Sequence, residues 1–120
     1  MGEQETAGAE LEVIGAIDEY LERFLPALSA LPNKLRELPE AAKPDIYDAS
    51  EGLLWLTRAI TLTGHITGVE PEFEPVSDTI KAIFYGLENA DYEYVADAVE
   101  YDAIPIVKRW KTGMDARNAG

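Results

Sequence analysis

The sequence predicts an all-α fold: a four-helix bundle with up-down-up-down connections. Three observations carry that expectation. Apolar residues recur in alternating steps of three and four along four stretches of the 120-residue chain. Short segments rich in proline, glycine and asparagine join the stretches. No stretch shows the period-two alternation of a half-buried strand. Four amphipathic helices with short connections bury their stripes by packing side by side.

The first stretch is the most regular. Ile14, Ile17, Leu21, Phe24, Leu28, Leu31, Leu35 and Leu38 form a heptad seam. Pro26 and Pro32 fall between seam positions. Each lacks a backbone donor and crowds the carbonyl four residues back, at about 3 kcal/mol in a helix interior. The expectation is a long first helix, kinked or broken near Leu31. "LPEAAKP" (38–44) reads as the first connection, and the second helix is expected to start at Pro44 or Asp45, with acids in its first turns.

Ile46, Ala49, Leu53, Leu56, Ile60, Thr63 and Thr67 make the second seam, which "TGVEPEFEP" (67–75) ends. Gly68 can take the left-handed cap there, and prolines follow it. A third helix is expected from Pro75 to about Asn89, with Val76, Ile80, Ile83, Leu87 and Ala90 as its seam. "NAD" (89–91) is a tight turn, and Asp91 is placed to cap the fourth helix. That helix carries Tyr92, Val95 or Ala96, Val99, Ala103, Ile106 or Val107, and Trp110. Lys108, Arg109 and Lys111 lie in its last turn, as the helix dipole favours. Pro105 can give no bond to the Tyr101 carbonyl, so a bend that re-aims Trp110 is expected. The domain is expected to span 9–111, between flexible tails at 1–8 and 112–120.

Charge and composition narrow the function classes. Twenty-three acids against ten bases give a net charge of −13. Such a field repels phosphate backbones and anionic membranes, so neither nucleic acid nor membrane is expected as a partner. It attracts a basic segment. There is no cysteine, hence no disulfide framework and no thiolate metal site. The longest apolar runs, such as Leu53 to Leu56, fall far short of the roughly 20 residues that span a bilayer. "MGEQETAGAE" lacks the apolar core of a secretory leader, and a cytoplasmic location is expected.

The residue inventory excludes several chemistries. A carboxylate-bridged di-metal bundle needs Glu-x-x-His pairs, yet the only histidine is His65 and position 62 is leucine. Neither glycine-rich phosphate loop can be written anywhere. Ser29, Ser50 and Ser77 lack the context of a catalytic triad. No cofactor, catalytic residue or metal ligand is therefore expected. The acids Asp45, Asp48 and Glu51, and Asp97, Glu100 and Asp102, lack the spacing of a calcium loop and read as solvated helix faces.

One spacing carries chemistry elsewhere. "RAITLTGH" sets Arg58 seven residues before His65, two turns apart on one face. It resembles the Arg-x(4–6)-His element of the helical nuclease superfamily of toxin–antitoxin systems. That resemblance implies RNA cleavage with Arg58 and His65 in the site, although Ala59 stands where that family usually has a polar residue. The alternative is that His65 is a helix-end residue, hydrogen-bonded or solvated near Gly64 and Gly68.

Two helices carry more apolar surface than one seam requires. Trp55, Ala59, Leu62 and Ile66 form a second stripe on the second helix, and Tyr94, Ala98, Tyr101 and Ile104 one on the fourth. A second stripe serves either a second neighbouring helix or a partner surface. Trp55, Tyr94, Tyr101, Ile104 and Trp110 are thus the candidate partner-binding residues.

The C-terminal stretch "ADYEYVADAVEYDAIPIVKRWK" carries a resemblance of its own. It is similar to the last helix of small uncharacterised helical proteins of Gram-positive bacteria, with the pattern D-Y-x-x-x-A-D-x-x-E-Y-[DE]-x-x-P-x-x-x-x-W. The matching positions are Asp91, Tyr92, Ala96, Asp97, Glu100, Tyr101, Asp102, Pro105 and Trp110. "DIYDASEGLLWLTRAI" (45–60) is similar to their second helix. In size and layout those proteins are similar to flagellin-export chaperones, bundles that hold a secreted subunit. The resemblance implies a domain of unassigned role and brings no catalytic residues. The functional expectation is a non-enzymatic, acidic protein-interaction module, chaperone- or adaptor-like, that holds a basic or amphipathic segment. The alternatives are a self-assembling homodimeric bundle and the small ribonuclease using Arg58 and His65.

Overall fold

The computed structural model describes the backbone of residues 2–119 and the side chains of residues 8–118. Helix α1 runs Gly2–Glu37, α2 Pro39–Thr67, α3 Phe73–Glu88, α4 Tyr92–Ala98 and α5 Ile104–Ala119. A π-helical turn, Val99–Ala103, joins α4 to α5, so the two form one continuous rod, the fourth helix of the bundle. The described residues contain helices and no strand, and the bundle measures 52 × 24 × 20 Å.

Ion pairs and ring contacts fix the register. Lys34 pairs with Asp45 at one end of the α1–α2 hairpin, Tyr20 packs on Trp55 midway, and His65 meets Glu10 at the other end. Arg36 reaches Glu93, Asp97 and Glu100 on the fourth helix, while Lys111 lies 3.5 Å from Glu22. Both neighbours of α1 therefore run antiparallel to it. Tyr47 touches Phe84 and Tyr85 touches Tyr94, which seats the shorter α3 between α2 and α4. The topology is up-down-up-down.

The seams are the core. Every α1 seam residue from Ile14 to Leu35 is buried, as are Ile46 to Thr63 on α2 and Val95 to Trp110 on the fourth helix. Leu38 departs from the seam at 60% exposure, because it is the one-residue corner between α1 and α2. The hydroxyls that enter this core satisfy themselves locally. Ser50, Thr57, Thr63 and Thr79 each donate to the carbonyl four residues back, at 2.7–2.9 Å.

Of the kink or break expected near Leu31, the break is absent: helix α1 continues through Pro26 and Pro32. Leu28, Leu31 and Leu35 are almost fully buried around Pro32. At about 1.5–3 kcal/mol for each such side chain, their packing outweighs one missing donor. The segment 38–44 is not a connection either. Pro39 occupies the first turn of α2, where no N–H is needed, and Pro44 lies inside the helix. The turn "NAD" and the caps hold as expected: Gly68 is left-handed with its N–H 2.8 Å from the Gly64 carbonyl, and Asp91 accepts from the Tyr94 N–H at 3.0 Å.

The ends also differ from the boundaries drawn above. Met1 and Gly120 lie outside the described residues, but α1 includes Gly2 to Gly8 and α5 continues to Ala119. Met114 is buried at 1% exposure, so the packed core extends past residue 111.

At Pro105 the chain widens. Ile104 donates to the Val99 carbonyl, five residues back, in the turn immediately before the proline. A wider turn relieves the crowding a proline ring imposes on the carbonyl four residues earlier. Trp110 then lies fully buried, its indole N–H 2.8 Å from the Glu70 carbonyl of the segment linking α2 to α3. Arg109 grips Glu72 of the same segment at 2.6–3.1 Å, which pulls its guanidinium pKa up.

Candidate functional site

The five candidate partner-binding residues do not converge. Ile104 and Trp110 are core residues. Tyr94 and Tyr101 are exposed, at 42% and 65%, with the Tyr94 ring 5.4 Å from that of Tyr85 on α3. Trp55, 40% exposed, belongs to another helix pair and meets the Tyr20 ring of α1 edge-on at 5.3 Å.

The surroundings of Trp55 form a groove on the outer face of the α1–α2 hairpin. Two adjoining depressions between α1 and α2, of about 380 and 570 Å³, share Tyr20 and Asp48 and so make one groove. Its floor is aromatic: Tyr20 stacks on Phe24 with ring centres 5.0 Å apart. Gly52 makes room for that stack, since a Cβ there would come within 2.7 Å of the Phe24 ring. The walls are small, with Ala16, Ala27 and Ala30 exposed on α1 and Ala49 nearly closed over on α2. Carboxylates crowd the rim. Asp45, Asp48, Glu51 and Glu19 line the groove against only Lys34 and Arg23. Burial pushes the Tyr20 phenol up from its ordinary pKa; Arg23 pulls it back, and Asp48 and Glu51 add to the rise.

The sequence builds this groove from second heptad seams on both helices. On α2, Asp45, Asp48, Gly52, Trp55, Ala59, Leu62 and Ile66 follow steps of three and four. On α1, Val13, Ala16, Tyr20, Arg23, Ala27, Ala30 and Lys34 do the same. Only the Trp55–Ile66 part was legible as an apolar stripe. The α1 seam was missed because alanines and basic residues occupy it, though the spacing itself was a usable signal. Chemically, two such seams side by side offer holes for the knobs of a further helix.

The other candidate features have local partners. Arg36 binds Glu93 and Asp97 at 2.9 Å and Glu100 at 2.7 Å, clasping three turns of the fourth helix to the end of α1. Its guanidinium pKa is raised, first by Glu100 and then by Glu93. Hydrogen bonds from Arg36 and then Tyr101 hold the Glu100 carboxyl below its ordinary range. The His65 ring lies 2.6 Å from the largely covered Glu10 carboxylate, and Arg58 has no salt-bridge partner among the described residues. Among the described residues no group of three or more His, Cys, Asp or Glu side chains is arranged to hold a metal ion, and no helix is long and apolar enough to cross a membrane.

No curated protein and no solved structure matches the chain. A family match covers residues 12–113, from the start of the α1 seams to the glycine of α5 that packs on Val69. With nearly all of the described bundle inside that match, the chain belongs to the family described as Domain of unknown function (DUF8042).

Proposed function

We propose that the protein is a non-enzymatic docking module that seats an amphipathic helix of a partner protein in the outer α1–α2 groove. The observation that carries this reading is the pair of outward heptad seams lying side by side, with small side chains for close approach and an aromatic floor. From Ala16 to Lys34 the groove runs about 27 Å, room for roughly 18 helical residues. The acidic rim and the net charge of −13 favour a basic occupant and steer its approach. The same charge disfavours a second copy of this chain. A chaperone- or adaptor-like role is the cellular form such docking would take.

The test is fluorescence anisotropy with a labelled 20-residue amphipathic peptide of lysine, leucine and alanine. The wild type should bind it, and an acidic peptide of the same pattern should not bind. Trp55→Ala should weaken binding at least about tenfold, as for the loss of an aromatic anchor. Tyr101→Glu, on the other helix pair, should leave it unchanged. Equal loss in the two variants, or no binding by the folded wild type, would overturn the groove. Light scattering should give a monomer, and a dimer sensitive to Trp55→Ala would assign the groove to self-association.

A further inference from the structure

Resting on the docking reading, the groove has a direction that selects among basic amphipathic helices. Along the α2 seam the character changes at one point. Asp45 and Asp48 come first, with Glu51 beside them, followed by Trp55, Leu62 and Ile66. These last three expose 40%, 59% and 38% of their surface, a large uncovered apolar run at one end of the molecule. The carboxylates Asp45, Asp48, Glu51 and Glu19 line the depressions that end at Trp55, beside Lys34 and Arg23, too few bases to neutralise them.

We infer that the occupant is a charge-segregated helix: basic in its N-terminal half, bulky and apolar in its C-terminal half. Two effects set its polarity. Basic side chains meet Asp48 and Glu51 at the acidic end, and the positive end of the helix dipole prefers those same carboxylates. The C-terminal half then lays its apolar side chains on Trp55, Leu62 and Ile66, where exposed area remains to be covered. The occupant thus runs parallel to α2 and antiparallel to α1. The ligand class is a peptide whose basic stretch precedes an apolar one, as opposed to one with the two interspersed.

Two labelled peptides of identical composition test this, one with its lysines in the N-terminal half and one with them spread along its polar face. The segregated peptide should bind about tenfold more tightly, since it places several partly exposed ion pairs at once. Asp48→Asn with Glu51→Gln should remove that preference, weakening the segregated peptide about tenfold more than the spread one. Orientation has its own readout, because the chain contains no cysteine to interfere. A quencher on the peptide N-terminus should dim a dye at Ala41→Cys, at the acidic end, and spare one at Ala9→Cys. Equal affinity of the two peptides, or quenching at Ala9→Cys, overturns the inference while the docking reading stands. Binding of neither peptide sinks the docking reading itself.

Discussion

Two helices of this bundle carry the same sequence signal, a second apolar stripe, and the fold treats them oppositely. On the fourth helix the stripe is partly consumed. Ala98 and Ile104 are buried, and the Tyr94 ring lies against Tyr85 of α3. On α2 the stripe stays open: Ala59 is covered, but Trp55, Leu62 and Ile66 face outward beside a matching seam on α1. A second stripe is a request for a second neighbour, and only the helices present decide whether the request is met internally. The α3–α4 side closes because α3 approaches to within a glycine's thickness. A Cβ on Gly86 would meet Val95 at 2.5 Å and the Asp91 carbonyl at 3.1 Å.

The sharpest way to break the closed side is Trp110→Ala. It empties a fully buried site and removes the bond to Glu70, so a loss of about 3–5 kcal/mol in urea unfolding is expected. Trp110→Phe should lose less, about 2 kcal/mol, from the missing hydrogen bond and the smaller ring. Next in size is Gly86→Ala. Overpacking against Val95 and backbone costs about 1–3 kcal/mol, and better helix propensity returns about 1, leaving a net loss near 1 kcal/mol. Peptide binding in the α1–α2 groove should survive Gly86→Ala, and its loss would show that the two sides are not independent.

The smallest effects separate the sides by pH. Glu100, held below its ordinary 4.5 first by Arg36, stabilises the fold above that value, and its contribution goes as pH falls through the lowered pKa. Arg36→Met should therefore flatten the acid limb of Tm against pH. Tyr20 behaves in the opposite sense. Its phenol is raised by burial, so its contribution is present below its ordinary 10.0 and is lost as pH climbs through the raised value. Tyr101, raised beside Glu100, adds to the same alkaline limb. Tyr20→Phe is thus the variant that isolates the groove, and it should flatten the alkaline limb in part while leaving the acid limb alone.

Much of the fold was legible in spacing. The four seams, the Gly68 cap and the Asp91 cap all lie where steps of three and four and turn chemistry place them. Prolines misled, because local propensity counts a missing donor but not the leucines packed around it. That is why "LPEAAKP" read as a loop and proved to be a corner at Leu38 followed by helix. The bend expected at Pro105 arrived as a wider turn at 99–103, which a stripe drawn at one fixed period cannot show. The candidate site was only half legible. Trp55, Leu62 and Ile66 announce themselves as apolar, whereas Ala16, Ala27 and Ala30 gain meaning only once α2 lies alongside them. Ile104 reads as a surface candidate because sequence gives a stripe without its neighbours, and Trp110 because the expected bend at Pro105 leaves its aim open; both are buried.

The corner at Leu38 has a kinetic consequence. One residue joins two helices of 36 and 29 residues, so pairing them costs the least loop-closure entropy of any long contact in the chain. Contacts between α1 and α5, by contrast, join residues as far apart as Asp18 and Asn118. We expect the α1–α2 hairpin to be the folding nucleus, with φ-values high along its seams and low in α5; the reverse pattern in a chevron series would refute this. The groove would then be the first surface the chain acquires, in place before the rest of the bundle has closed.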